Sequence, residues 1–316
     1  VEGVVSQQKS GCKVGVDSTA AATLRGTFPV ISRPSGVSEA GEDSPHLDEK
    51  EQKQAAERAA PGPLVIHEIV REEGQAELER HFSGLAWSGL AAGLSIGFSF
   101  VAQAYLQAGL PDEPWRRLVA GFGYSLGFLI VVLGRQQLFT ETTLTALIPT
   151  LTKRDLTSLL STLRVWGIVL AANLIGTLLF AFFASRQGVF DSGASASMVT
   201  ISTKLLALPF WEGAARAVAA GWLIGLMVWL LPASGSARPL IIIMLTYVVS
   251  MCEFPHIIAG SVEAAYAVFT GHAAIGAYFV KFLAPTLLGN VFGGTALAAL
   301  LNHAPIAHEL NSRGQT

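Results

Sequence analysis

From about residue 84 to residue 301 the chain alternates long apolar runs with short polar joints. Six runs, at approximately 84–108, 117–151, 159–185, 211–232, 239–270 and 274–301, each reach the roughly 20 residues that a helix needs to cross a bilayer. Two of the six are interrupted. The second stops at Gly134-Arg135-Gln136-Gln137 and resumes after Leu138-Phe139-Thr140; the fifth is broken at Met251-Cys252-Glu253-Phe254-Pro255-His256. An interruption at membrane depth leaves backbone polar groups that must be buried in protein or line a cavity. Both breaks fall in the second member of a triplet. That layout predicts two inverted repeats of three helices whose broken elements meet at the midplane, where a transport site is expected. The fold class is therefore an all-α integral membrane bundle of six transmembrane helices with broken second and fifth members.

The flanks read differently. Residues 1–62, rich in Ser, Gly, Glu, Gln and Ala, predict a disordered polar tail that has too little apolar surface to offset its ordering entropy. Residues 63–81 alternate charge and apolar side chains at helical spacing, which predicts an amphipathic juxtamembrane helix. The channel domain follows at 82–303, and 304–316 is expected to be a short polar tail. The first residue is Val, so a true start that is absent or processed is expected, and nothing near it has the layout of a signal peptide. Lys153, Arg154 and Arg164 favour the cytoplasmic side for the joint after the second run, which puts both termini inside.

Composition agrees with a membrane protein: 51% of residues are hydrophobic and 14% charged, against about 25% charged in soluble domains, and the mean hydropathy is +0.48. A formal charge of -2 gives no basic face for nucleic acid. Cys12 and Cys252 lie far apart, and no metal spacing, phosphate loop or nucleophile–base set occurs. No metal, cofactor or enzymatic activity is expected.

Three stretches in their places, YSLGFLIVVLGRQQLFT in the second run, NLIG in the third and APTLLGNVFGG in the sixth, resemble the formate/nitrite transporter family over about residues 64–303. The resemblance implies an aquaporin-like fold and a homopentamer with one pore per protomer in a bacterial inner membrane. It also implies passage of a small monovalent anion, such as formate or nitrite, or its conjugate weak acid. By the same resemblance Thr140 matches the family's loop threonine and His256 its central histidine. Tyr124, Phe128 and Tyr247 fall at a pore constriction, and Lys204 corresponds to a lysine that draws anions into the vestibule. Four positions depart from the pattern: Glu141 stands where a small residue is usual, Gly221 where an asparagine is expected, Glu253 is separated from His256, and Arg135 has no counterpart.

A lone imidazole at membrane depth titrates near neutrality, so the expected mechanism has His256 assisting protonation of the anion. Ionisable groups inside a membrane need a partner or water. Arg135 is therefore expected to pair with Glu141 or Glu253 and brace the two breaks, or these residues relay protons. Two other readings compete. A neutral-solute channel of the aquaporin type would carry Asn-Pro-Ala at its breaks, which is missing here. A non-conducting scaffold or sensor would use the tail to recruit partners.

Overall fold

The computed structural model describes residues 45–313, in two units that meet in sequence at Ala59–Ala60. In the first, α1 (Glu49–Arg58) is helical, within the span whose composition predicts disorder. The correction has a local cause: the Glu51 N–H donates to Asp48 Oδ1 at 2.8 Å while Glu51 Oε2 accepts from the Asp48 N–H at 3.0 Å. This reciprocal cap satisfies two orphan donors at the helix start. The rest of the expected tail up to residue 44 lies outside the described residues.

The second unit begins with α2 (Pro63–Glu79), whose buried residues His67, Val70, Gly74 and Leu78 form one stripe. Then come α3 (Phe82–Gly109), α4 (Arg116–Leu133), the half-helix α5 (Phe139–Thr145), α6 (Leu147–Lys153) and α7 (Leu156–Ala184). After α8 (Ser192–Leu206), which lies in the connection, follow α9 (Phe210–Leu230), α10 (Arg238–Met251), the half-helix α11 (Ala259–Phe269) and α12 (Ile275–Ala307). Five of these helices are long and apolar enough to cross a membrane, and a shorter apolar helix over Gly235–Met251 leads into the second break. The expected six-helix, twice-broken arrangement is present.

The last helix corrects the predicted C-terminal tail. Helix continues over Leu301–Arg313 and packs on α2: Ile306 is buried and His303 Nδ1 lies 2.9 Å from His67 Nε2. Residues 314–316 lie outside the described residues.

Each break closes its preceding helix in the same way. Arg135 N–H donates to the Val132 carbonyl and Gln136 N–H to Val131; Glu253 N–H donates to Ser250 and Phe254 N–H to Val249. This paired closing turn requires a left-handed residue. Arg135 (φ 50) and Glu253 (φ 54) occupy it, although glycine is the usual occupant.

Neither half-helix is capped by the side chain of its Ncap residue; an asparagine on a neighbouring helix holds the chain at each break instead. Asn173 Oδ1 on α7 accepts the Phe139 N–H at 2.8 Å, and its Nδ2 donates to the carbonyls of Gly89 and Gln137. Asn290 on α12 repeats the pattern, accepting from the Ile257 N–H at 2.7 Å and donating to Ala217 and Pro255. Glycines let the helices close on these clamps. A Cβ on Gly93 would sit 2.2 Å from the Asn173 carbonyl oxygen, and one on Gly221 2.3 Å from that of Asn290. The missing asparagine at 221 thus makes room for the one at 290.

Replacing either asparagine with alanine strands a buried N–H and the carbonyl of Gln137 or Pro255 at the break, a loss of roughly 2 kcal/mol or more. Asn173→Ala and Asn290→Ala are each expected to lower the melting temperature of the detergent-purified protein markedly. Wild-type melting in either variant would remove the clamp.

Candidate functional site

The half-helices run from the centre of the bundle toward opposite faces. α9 fixes the direction: Glu212 and Arg216 near its start border a cavity, whereas Trp229 near its end packs against His67 of α2. α5 packs on α2 and α11 on α8, on those two sides respectively. Their N-termini, which carry partial positive charge, therefore meet in the middle.

There Thr140 Oγ1 lies 2.8 Å from His256 Nε2. His256 Nδ1 accepts the Ala259 N–H at 3.1 Å, so the imidazole side chain caps the start of α11. A ring nitrogen that accepts an N–H carries no proton. The hydrogen-bond network therefore assigns the proton of the neutral ring to Nε2, which donates to Thr140. Phe128 meets the imidazole edge-on, with ring centroids 5.1 Å apart, and Tyr124 packs on Phe128 at 5.3 Å. All four side chains are buried. Four residues expected at the pore are thus one contiguous cluster.

Tyr247 does not join them. It stacks on the exposed Phe122, with centroids 4.2 Å apart and planes 18° from parallel, and does not border the cavity that reaches His256. Stacking between α10 and the start of α4 has taken the ring away from the constriction.

The expected brace between the breaks is corrected too. The left-handed positions send Arg135 and Glu253 to opposite faces. Arg135 Nη2 pairs with Glu73 Oε1 of α2 at 2.9 Å, while Glu253 Oε1 pairs with Lys204 Nζ at 2.5 Å and Arg117 Nη1 at 3.4 Å. Lys204 does stand in the vestibule, a cavity of about 650 Å³ that reaches from the exposed rim down to His256. Its charge, however, is countered by Glu253. Two further rim pairs, Arg116–Asp112 and Arg216–Glu212, balance the vestibule.

Two carboxyls escaped the sequence reading. Glu263 on α11 is 8% exposed, borders the vestibule floor and has no hydrogen-bond or ion-pair partner among the described residues. On the α2 face, Glu77 accepts from Thr145 Oγ1 at 2.6 Å and Gln137 Nε2 at 3.3 Å, near Glu141, whose buried Oε1 has no partner. Burial pushes the Glu77 carboxyl up to about 7; the Thr145 and Gln137 hydrogen bonds and Arg80 oppose that rise, and Glu73 adds to it. Both signals were visible as acids inside apolar or amphipathic runs.

Residues 64–304 match the family model described as formate/nitrite transporter. The chain belongs to the formate/nitrite transporter family. Members are membrane transporters and channels rather than enzymes. The chain is 38% identical over 250 residues to inner membrane protein YfdC of Escherichia coli (strain K12), covering 79% of this chain and 81% of that protein. It is 28% identical to the probable formate transporter of Methanothermobacter thermautotrophicus, over 69% and 82% of the two chains. Among solved structures, a pentameric formate channel with formate bound superposes with a TM-score of 0.56 at 24% identity, covering 71% of this chain and 94% of that one. An FNT family ion channel gives 0.63 at 18% identity, over 77% and 96%. These two likenesses establish the aquaporin-like fold.

The raised Glu77 carboxyl makes stability depend on pH. The folded state keeps a proton that the unfolded chain releases between about 4.5 and about 7, so stability falls as pH rises through that window and levels off above it. Glu77→Gln is expected to flatten the fall, worth on the order of 1–3 kcal/mol. Thermal melts of both proteins across the window read the difference; parallel curves would refute it.

Proposed function

We propose that the chain passes a small monovalent anion, as its conjugate weak acid, through a pore within each protomer, with formate or nitrite as the reference solutes. The observation that carries this reading is the meeting of two half-helix N-termini at the hydrogen-bonded Thr140–His256 pair, between a vestibule on one face and the α2 face on the other. Converging N-termini favour a solute with anionic character at the centre. Phe128 and Tyr124 beside the pair form a dry gate, where a neutral acid crosses without the desolvation cost of an ion.

In this reading His256 donates to and orients the solute in concert with Thr140. Family membership and the formate named for its relatives support the substrate class. The pentameric channel among the solved relatives supports a homopentamer. The inner-membrane relative supports that location. Both termini of the membrane unit lie on the α2 face, joined by His67 and His303. Lys153, Arg154 and Arg164 near that face support a cytoplasmic assignment.

Purified protein in liposomes, given formate, nitrite, acetate, lactate or hydrosulfide at about pH 5.5 and about pH 7.5, is expected to take up at least one of them, faster at the lower pH. His256→Phe is expected to cut that uptake at least about tenfold without loss of assembly. No uptake of any of them by assembled wild-type protein would favour a non-conducting scaffold.

A further inference from the structure

We propose that Glu263, rather than His256, is the group with which a permeating weak acid exchanges its proton, and that this carboxyl keeps the ionised anion from crossing. The inference rests on the weak-acid reading above and assigns its proton chemistry to a different residue.

Geometry separates the two candidates. Both His256 ring nitrogens are engaged, Nδ1 as acceptor of the Ala259 N–H and Nε2 with Thr140. A second proton on the ring would have to displace the backbone bond that caps α11. Glu263 has no such commitment. His256, Gly260 and Glu263 are spaced four and three residues apart, so they follow one face of the half-helix, and all three border the vestibule. Among the acids that border it, Asp112, Glu212 and Glu253 are ion-paired and Glu113 stands on the exposed rim. Glu263 alone is buried without a counter-charge.

The elements around α11 leave it that way. α4 presents Tyr124, the second break presents His256 and Glu253, and α8 presents Lys204, already held by Glu253. α12 presents Tyr278, which hydrogen-bonds Ser261 at 2.6 Å. From α3 and α7 come Phe100, against Tyr266, and Thr177, bonded to Ser261. The other cations that border the vestibule, Arg116, Arg117 and Arg216, are paired with Asp112, Glu253 and Glu212 rather than with Glu263.

An unpaired carboxylate with so little water around it is costly, and binding a proton removes that cost. The exchange balances simply. The O–H bond of the Glu263 carboxyl breaks and one forms on the solute carboxylate, so the solute leaves as the neutral acid and the negative charge stays on Glu263. A proton from vestibule water then restores the carboxyl. While Glu263 is ionised its charge repels a second anion, and a fixed charge of this kind in a pore selects by sign.

The test compares wild type, Glu263→Gln and Glu263→Asp in liposomes, reading labelled formate uptake and electrical current together. Wild-type uptake is expected to fall from about pH 5.5 to about pH 7.5 and to move no net charge. Glu263→Gln is expected to hold its uptake at the higher pH and to carry an anion current at least about tenfold above wild type; Glu263→Asp should restore electroneutral, pH-dependent uptake. A Glu263→Gln protein with the wild-type pH profile and no current overturns the proposal. If Glu263→Gln does not assemble, the wild-type charge stoichiometry decides: one proton per formate supports the proposal, and net negative charge moved with formate overturns it. Wild-type protein that passes no weak acid removes the functional reading and this inference together, whereas wild-type flux with an unaltered variant removes the inference alone.

Discussion

Two asparagines carry the constraint on which the rest of the molecule depends. A helix broken inside a bilayer exposes N–H and C=O groups where no water is available, and each unpaired group is expensive. Asn173 and Asn290 each give one amide hydrogen and the amide oxygen to one break, holding the carbonyl ahead of the half-helix and an N–H at or just before its start. The third bond, to Gly89 or Ala217, ties the break to the first helix of its repeat. With those bonds in place the half-helices point their N-termini at one another, and Thr140 comes within hydrogen-bond reach of His256. The central site is a consequence of how the breaks are satisfied.

The same constraint sorts the charges. Each broken helix ends on a left-handed residue, and its side chain leaves the bundle along that helix's own face. Arg135 therefore reaches Glu73 on the α2 side and Glu253 reaches Lys204 and Arg117 in the vestibule. A salt bridge between the breaks would need one of these side chains to turn back through the buried Thr140–His256 cluster. What remains at the mouths is a balanced vestibule with Glu263 at its floor and, on the other face, Glu77 and Glu141 beside unpaired amide oxygens of Gln136 and Gln137.

The architecture was legible because membrane topology is written in apolar run lengths, and both breaks interrupt those runs visibly. Thr140 and His256 were singled out through the family resemblance, and the two lie within hydrogen-bond distance of each other. The asparagines could have been found without it: Asn173-Leu174-Ile175-Gly176 and Asn290-Val291-Phe292-Gly293 repeat one spacing in the third helix of each half. In the sequence they stood out only as part of the stretches that carry the resemblance, since a polar residue near glycines in a membrane helix signals contact without naming the partner. Tyr247 was misplaced because an aromatic near a gate in sequence has several faces to choose from, and stacking on Phe122 decided it. The helical character of Glu49–Arg58 and of the C-terminal segment depended on a local cap and on a histidine pair, which composition does not register.

The contrast between His256 and Glu263 shows how a shared scaffold leaves room for its own chemistry. The imidazole is built into the backbone: it caps one half-helix and binds a threonine of the other, so a change of its charge disturbs the fold's centre. The carboxyl hangs from a half-helix that is held elsewhere, through Ser261 to Thr177 and Tyr278. A charge change there costs the pore field much and the backbone little. A group that cycles between protonation states on every passage is better placed on the second kind of position than on the first. In a fold whose breaks are fixed by asparagines, the residues free to set what crosses are those the clamps do not use.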